Sequence, residues 1–192
     1  MTKSRLEAFS DGVLAIIITI MVLELKIPHG DTLADLQPLV NVFISYVMSF
    51  IFIGIYWGNH HHLLNTVHHV NSKIIWSNMH LLFWLSVVPF STGWMGENHF
   101  GRMPMVVYGI NLLCCAIAYY ILHQVIMSHY THSTKLIEAL KKQKKKGMLS
   151  LLLYILTIIS AFFYPVVSVI LIVSTAVLWI IPDKNIENAL KE

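Results

Sequence analysis

Apolar residues run in long blocks along this chain, separated by short polar punctuation. The first block extends from about Ala8 to Ile27 and stops at Pro28-His29-Gly30. Thr32-x-x-Asp35 has the form of a capping box, and Pro38 suits the first turn of the next helix. That second block reaches about Trp57, with a helix able to continue through His62. A third covers about Ile74 to Thr92, and Gly93–Met103, with its Gly, Asn and Glu, reads as a loop. Pro104 opens a fourth block that ends near Met127. After a polar stretch, the chain is apolar from Gly147 to Ile181. One helix of that length would measure roughly 52 Å, against a hydrocarbon core of about 30 Å. Tyr164-Pro165 lies near its middle, where proline breaks the hydrogen-bond ladder, so two short helices joined by a tight turn are expected.

Composition turns these blocks into membrane spans. Of 192 residues, 56% are hydrophobic and 12% charged, whereas a soluble domain carries about 25% charged residues. The expected fold is all-α: one polytopic unit over 1–192 with six transmembrane helices, at roughly 8–27, 38–57, 74–92, 104–127, 147–163 and 165–181. The chain length leaves no room for a soluble catalytic domain, and no enzyme is expected. The formal charge of +3 is one-sided. Of the 13 Lys and Arg, six spans put only Lys26 and Arg102 on one face of the membrane. Lys3, Arg5, Lys73, Lys135, Lys141–Lys146, Lys184 and Lys191 share the other. The positive-inside rule then makes both termini cytoplasmic. This charge reads as topology, and no nucleic-acid partner is expected. The first block is too long for a signal-peptide core and no A-x-A-like site follows it, so it is read as a span of the mature chain. Cys114 and Cys115 are adjacent within a span and are expected to stay free.

The first span carries the densest chemistry. It begins Arg5-Leu6-Glu7-Ala8-Phe9-Ser10-Asp11, and a charged residue inside a span is a functional candidate because its insertion is costly. At 100° per residue, Arg5, Phe9, Ile16, Thr19, Ile20 and Leu23 fall on one stripe. Ser10 and Asp11 fall about 120–140° from it, directed toward neighbouring helices. An aliphatic stripe in a span ordinarily faces lipid or protein, and the wheel by itself does not choose between those and a pore.

Arg5-x-x-x-Phe9-Ser10-Asp11, followed by a long aliphatic helix, resembles the signature of the transmembrane protein 175 potassium channels. Trp57-x-x-His60-His61 at the end of the second span and Leu85-x-x-x-Pro89-Phe90 in the third fit the same resemblance, which extends over the whole chain. The resemblance implies a potassium-permeable homotetramer with the first span of each subunit lining the pore. It implies a constriction at Ile16, Ile20 and Leu23, with Ile16 and an adjacent Thr19 layer governing selectivity. No Thr-Val-Gly-Tyr-Gly filter occurs. Permeant potassium ions are expected, and no cofactor. A bacterial plasma membrane is the expected location. Glu24, about 80° off the stripe, would add negative potential at the outer mouth.

The scaffold expected around the motif is Arg5, Phe9, Ser10 and Asp11 with Trp57, His60, His61 and Asn78, one or two of the histidines together with Trp57 and Asn78 hydrogen-bonding Ser10 and Asp11. Such a network would tie spans one to three together, and histidine brings pH sensitivity within reach. The chain has 11 histidines, but consecutive ones on a helix point about 100° apart, so no metal site is expected. The lysines of Lys141–Lys146 anchor topology, and such a cluster also suits anionic lipid. The rival function is a proton-coupled secondary transporter using Asp11 and the cytoplasmic-side histidines. Against it, the middles of spans one, five and six lack the Gly, Pro or charge that broken transporter helices carry.

Overall fold

A computed structural model describes residues 2–128 and 134–180. Its elements are α1 (Lys3–Leu23), a 3-10 helix (Leu33–Leu39), α2 (Val40–Asn65), α3 (Ser72–Ser86), α4 (Val88–Glu97), α5 (Arg102–Met127), α6 (Thr134–Phe163) and α7 (Pro165–Ile180). No strand occurs among the described residues. Five stretches are long and apolar enough to cross a bilayer: Lys3–Leu23, Leu33–Asn65, Ser72–Glu97, Arg102–Met127 and Leu140–Phe163. The sixth passage, α7, has 16 residues. The chain is thus an all-α polytopic membrane protein with six helical passages. The expected end of the last span at Ile181, and Lys184 and Lys191 beyond it, lie outside the described residues.

Several boundaries differ from expectation for local reasons. α1 begins at Lys3 rather than Ala8, because the Thr2 side chain accepts from Arg5 N–H and caps the helix there. It ends at Leu23, four residues early, ahead of the Pro28 turn. Thr32 donates from its N–H (3.0 Å) and its hydroxyl (2.6 Å) to Asp35 Oδ2. This cap starts the 3-10 helix, with Pro38 inside it, that leads into α2. α2 runs past Trp57 to Asn65. α6 begins at Thr134, so the lysine run is helical rather than a loop, as suits a strong helix former on solvated faces. The break at Tyr164-Pro165 falls where expected.

The third passage is two helices. α3 and α4 meet at Val87, whose N–H reaches back to Trp84 O at 3.2 Å, and Pro89 supplies no N–H to Leu85 O. Asn111 of α5 fills the gap. In the amide orientation that satisfies its neighbours, it donates to Trp84 O (3.1 Å) and accepts from Val88 N–H (3.2 Å) and Ser91 Oγ (3.0 Å). On the adjoining face, Ser49 of α2 meets Thr92 Oγ1 (2.7 Å) and Tyr108 OH (2.9 Å), joining α2, α4 and α5 through buried hydroxyls. Gly96 lets α4 close on α2, since a Cβ there would lie 2.8 Å from Val42 Cα. The apolar core passes through Leu14, Ile53, Leu81, Leu85, Met105 and Leu112, all essentially inaccessible.

Candidate pore helix and its anchoring network

α1 has two distinct faces, about 120° apart around the helix. Leu6, Ser10, Leu14, Ile17 and Met21, spaced four, four, three and four apart, are buried against the rest of the subunit. This is the helical repeat of one packed stripe. The other face has no cover within the subunit: Phe9 is 49% exposed, Ile16 58%, Ile20 44% and Leu23 77%. Arg5 and Thr19 lie exposed on the same side. The Thr19 hydroxyl donates to Ile16 O at 2.9 Å. With its proton directed at the backbone, the oxygen lone pairs remain free to face away from the helix. A groove of about 420 Å³ runs beside the stripe, between α1 and the α3–α4 junction, bordered by Ile16, Ile20, Glu24, Pro89 and Phe90.

The buried side of the motif is held by a hydrogen-bonded chain across three helices. Ser10 Oγ donates to Leu6 O (2.8 Å) within α1 and accepts from Asn78 Nδ2 (2.9 Å) of α3. Asn78 Oδ1 in turn meets His60 Nε2 (2.6 Å) of α2, whose ring is the donor of that pair. All three residues are buried. Asp11 Oδ1, on the open flank, accepts from Trp57 Nε1 at 2.9 Å. Lys3 reinforces the same end by donating to Asn65 O, at the end of α2, at 2.9 Å.

The structure therefore divides the expected scaffold. Ser10, Asn78 and His60 come together, and so do Asp11 and Trp57. His61 joins neither pair: it bonds Asn65 Nδ2 (2.9 Å) and stacks on Trp57 at 6.5 Å between ring centroids. Asp11 thus takes the indole of Trp57, one of its expected partners, while the buried histidine, His60, reaches Ser10 through Asn78 rather than bonding Asp11. His60 and His61 are one residue apart, so only one of them faces the bundle. Sequence reasoning missed Ser49, Thr92, Tyr108 and Asn111, although polar side chains amid apolar spans were the available signal. At the far end, Lys26 pairs with Glu97. That bond and the carboxylate charge hold the Lys26 ammonium above its ordinary pKa. Among the described residues, no three His, Cys, Asp or Glu gather to hold a metal ion, and both cysteines are free.

Fold and network define a polytopic helical membrane protein whose first helix is locked on one side and uncovered on the other. Residues 5–89 match the family model described as endosomal/lysosomal potassium channel TMEM175. The chain is 54% identical over its full length, and that of the relative, to a protein of Chryseobacterium sp. (strain P1-3) named as a potassium channel. It is 31% identical over 71% of its length, and 68% of the relative's, to one of Streptomyces collinus with the same designation. Among solved structures, it resembles the crystal structure of a lysosomal potassium-selective channel TMEM175 homolog from Chamaesiphon minutus. That match has a TM-score of 0.82 and 27% identity, and covers 93% of this chain and 96% of the other. This chain belongs to the TMEM175 family, whose members are integral membrane channels and not enzymes.

Proposed function

We propose that this chain is the subunit of a potassium-permeable channel, assembled as a homotetramer around α1. The observation that carries the reading is the uncovered stripe of α1 in a chain whose full-length relative is named a potassium channel. One helix cannot enclose a conduit, so the stripe needs copies of itself. Ile16, Ile20 and Leu23 form successive apolar rings, with Ile16 the constriction, and closure excludes water from them. Thr19 adds a layer of hydroxyl oxygens one turn away, and their free lone pairs suit a partly dehydrated cation. Ser10–Asn78–His60 and Asp11–Trp57 hold the helix at a fixed rotation, so that this stripe and no other faces the axis. Glu24 stands near the opposite end of the same groove and supplies negative potential there.

Ion flux into liposomes containing the full chain tests the reading. Wild-type protein passes potassium in preference to sodium. Ile16→Asn puts polar groups where water is excluded and raises basal flux. Thr19→Ala lowers the preference for potassium. If both variants conduct and discriminate as wild type does, α1 does not line the path. A transporter using Asp11 would instead lose transport on Asp11→Asn while showing no single-channel current.

A further inference from the structure

We propose that α6 carries a binding site for one anionic phospholipid on its outer face, at the end that bears the lysine run. The inward face of α6 runs through buried Leu140 and Gln143, half-buried Gly147, and buried Ser150, Tyr154, Thr157 and Ala161, at three- and four-residue intervals. Opposite it, Lys141, Lys145, Met148, Leu152, Ile155 and Ile159 recur at the same intervals, and every one is exposed. A parallel file, Lys142–Leu149–Leu156, lies beside them and is exposed as well. Each file is cationic for its first one or two turns and aliphatic below. From Met148 to Ile159 the aliphatic part measures roughly 16 Å at 1.5 Å per residue, comparable with an acyl chain. Two such files side by side match the two chains of a phospholipid whose phosphate sits among the lysines.

Among the described residues, the ion pairs are Lys3–Glu7 and Lys26–Glu97, so no described carboxylate meets Lys141, Lys142 or Lys145. Lys144 is drawn elsewhere, over the Tyr120 ring of α5 at 5.9 Å, and Lys146 is half-buried. A topology anchor needs only the number of positive charges. The run places lysines on most faces of the helix, and Lys141, Lys142 and Lys145 are those that stand above the exposed aliphatic files, where a headgroup over its own chains would meet them. Anionic lipid in the leaflet on the basic side of the membrane is the complementary partner. This inference does not depend on conduction and stands or falls separately from it.

Native mass spectrometry of the full-length protein in detergent, titrated with phosphatidylglycerol or phosphatidylcholine, tests the site. Wild type should retain phosphatidylglycerol saturably, one per subunit, at concentrations where phosphatidylcholine is lost. Lys141→Gln with Lys145→Gln should weaken retention by about tenfold or more, the scale of two near-surface lysines. Lys144→Gln with Lys146→Gln, which removes the same charge, should change it little. Lys141→Arg with Lys145→Arg should keep it. Equal retention of the two lipids by wild type overturns the proposal, whatever the variants do. So does equal weakening by the two charge-matched pairs, which would mean surface potential only. Displacement of the lipid by inorganic phosphate at matched concentration would show a site for the free anion and overturn it too.

Discussion

Ser10 makes its case through what surrounds it. Its hydroxyl is buried between α1 and α3, bonded to Leu6 O and to Asn78, which passes the chain on to His60, itself buried. Asn78→Leu therefore takes the acceptor from His60 Nε2 and one of the two bonds from Ser10, which keeps its bond to Leu6 O. In a membrane protein each such bond contributes about 0.6–2 kcal/mol. The expected loss is a clear drop in melting temperature in detergent. Trp57→Phe removes one bond, on the exposed flank at Asp11, and should cost less. A smaller fall for Asn78→Leu than for Trp57→Phe would mean that the chain through His60 is not the one holding α1. Ser10, Asp11, Trp57, His60 and Asn78 were all legible as polar residues placed where polarity is expensive. Which histidine faces inward was not, because His60 and His61 differ by about 100° and only the packing of α2 chooses.

At the scale of the element, the number and order of the six passages were legible because each requires an apolar run bounded by polar punctuation. The division of the third passage at Val87 was not. Proline is tolerated in the first turn of a helix, so Pro89 alone does not announce a break. What accommodates the break is Asn111, which arrives from another helix, accepts from the Val88 N–H and adds a second donor to Trp84 O beside Val87 N–H. Asn111→Leu should destabilise the fold by about 1–3 kcal/mol, the cost of leaving buried polar groups unpaired. It would be seen as a lower melting temperature, with faster hydrogen exchange confined first to residues 84–91. The start of α6 was hidden for the opposite reason. Lysine's polarity suggested a loop, while its helix propensity continued the helix.

Among the described residues, exposed apolar side chains lie on one face of α1 and on the outer faces of the other helices. Hydropathy records that these positions are apolar, and lipid, protein and a dewetted pore all ask for apolar residues. This is why the stripe was visible in the sequence but its destination needed the resemblance. Shape adds that the stripe borders a groove beside the α3–α4 junction. An oligomer measured by mass in detergent is the expected state, and a monomer would remove the basis for conduction through α1.

The uncovered stripe of α1 has a genetic corollary. If every copy contributes the same side chains at the same depth, a cell making two alleles builds mixed rings, and one altered ring member suffices to breach or block a shared constriction. Co-expressed Ile16→Asn should therefore act dominantly. Basal leak should rise out of proportion to the fraction of altered subunits, measured as potassium loss from cells carrying both versions. A leak strictly proportional to that fraction would mean that each subunit conducts by itself.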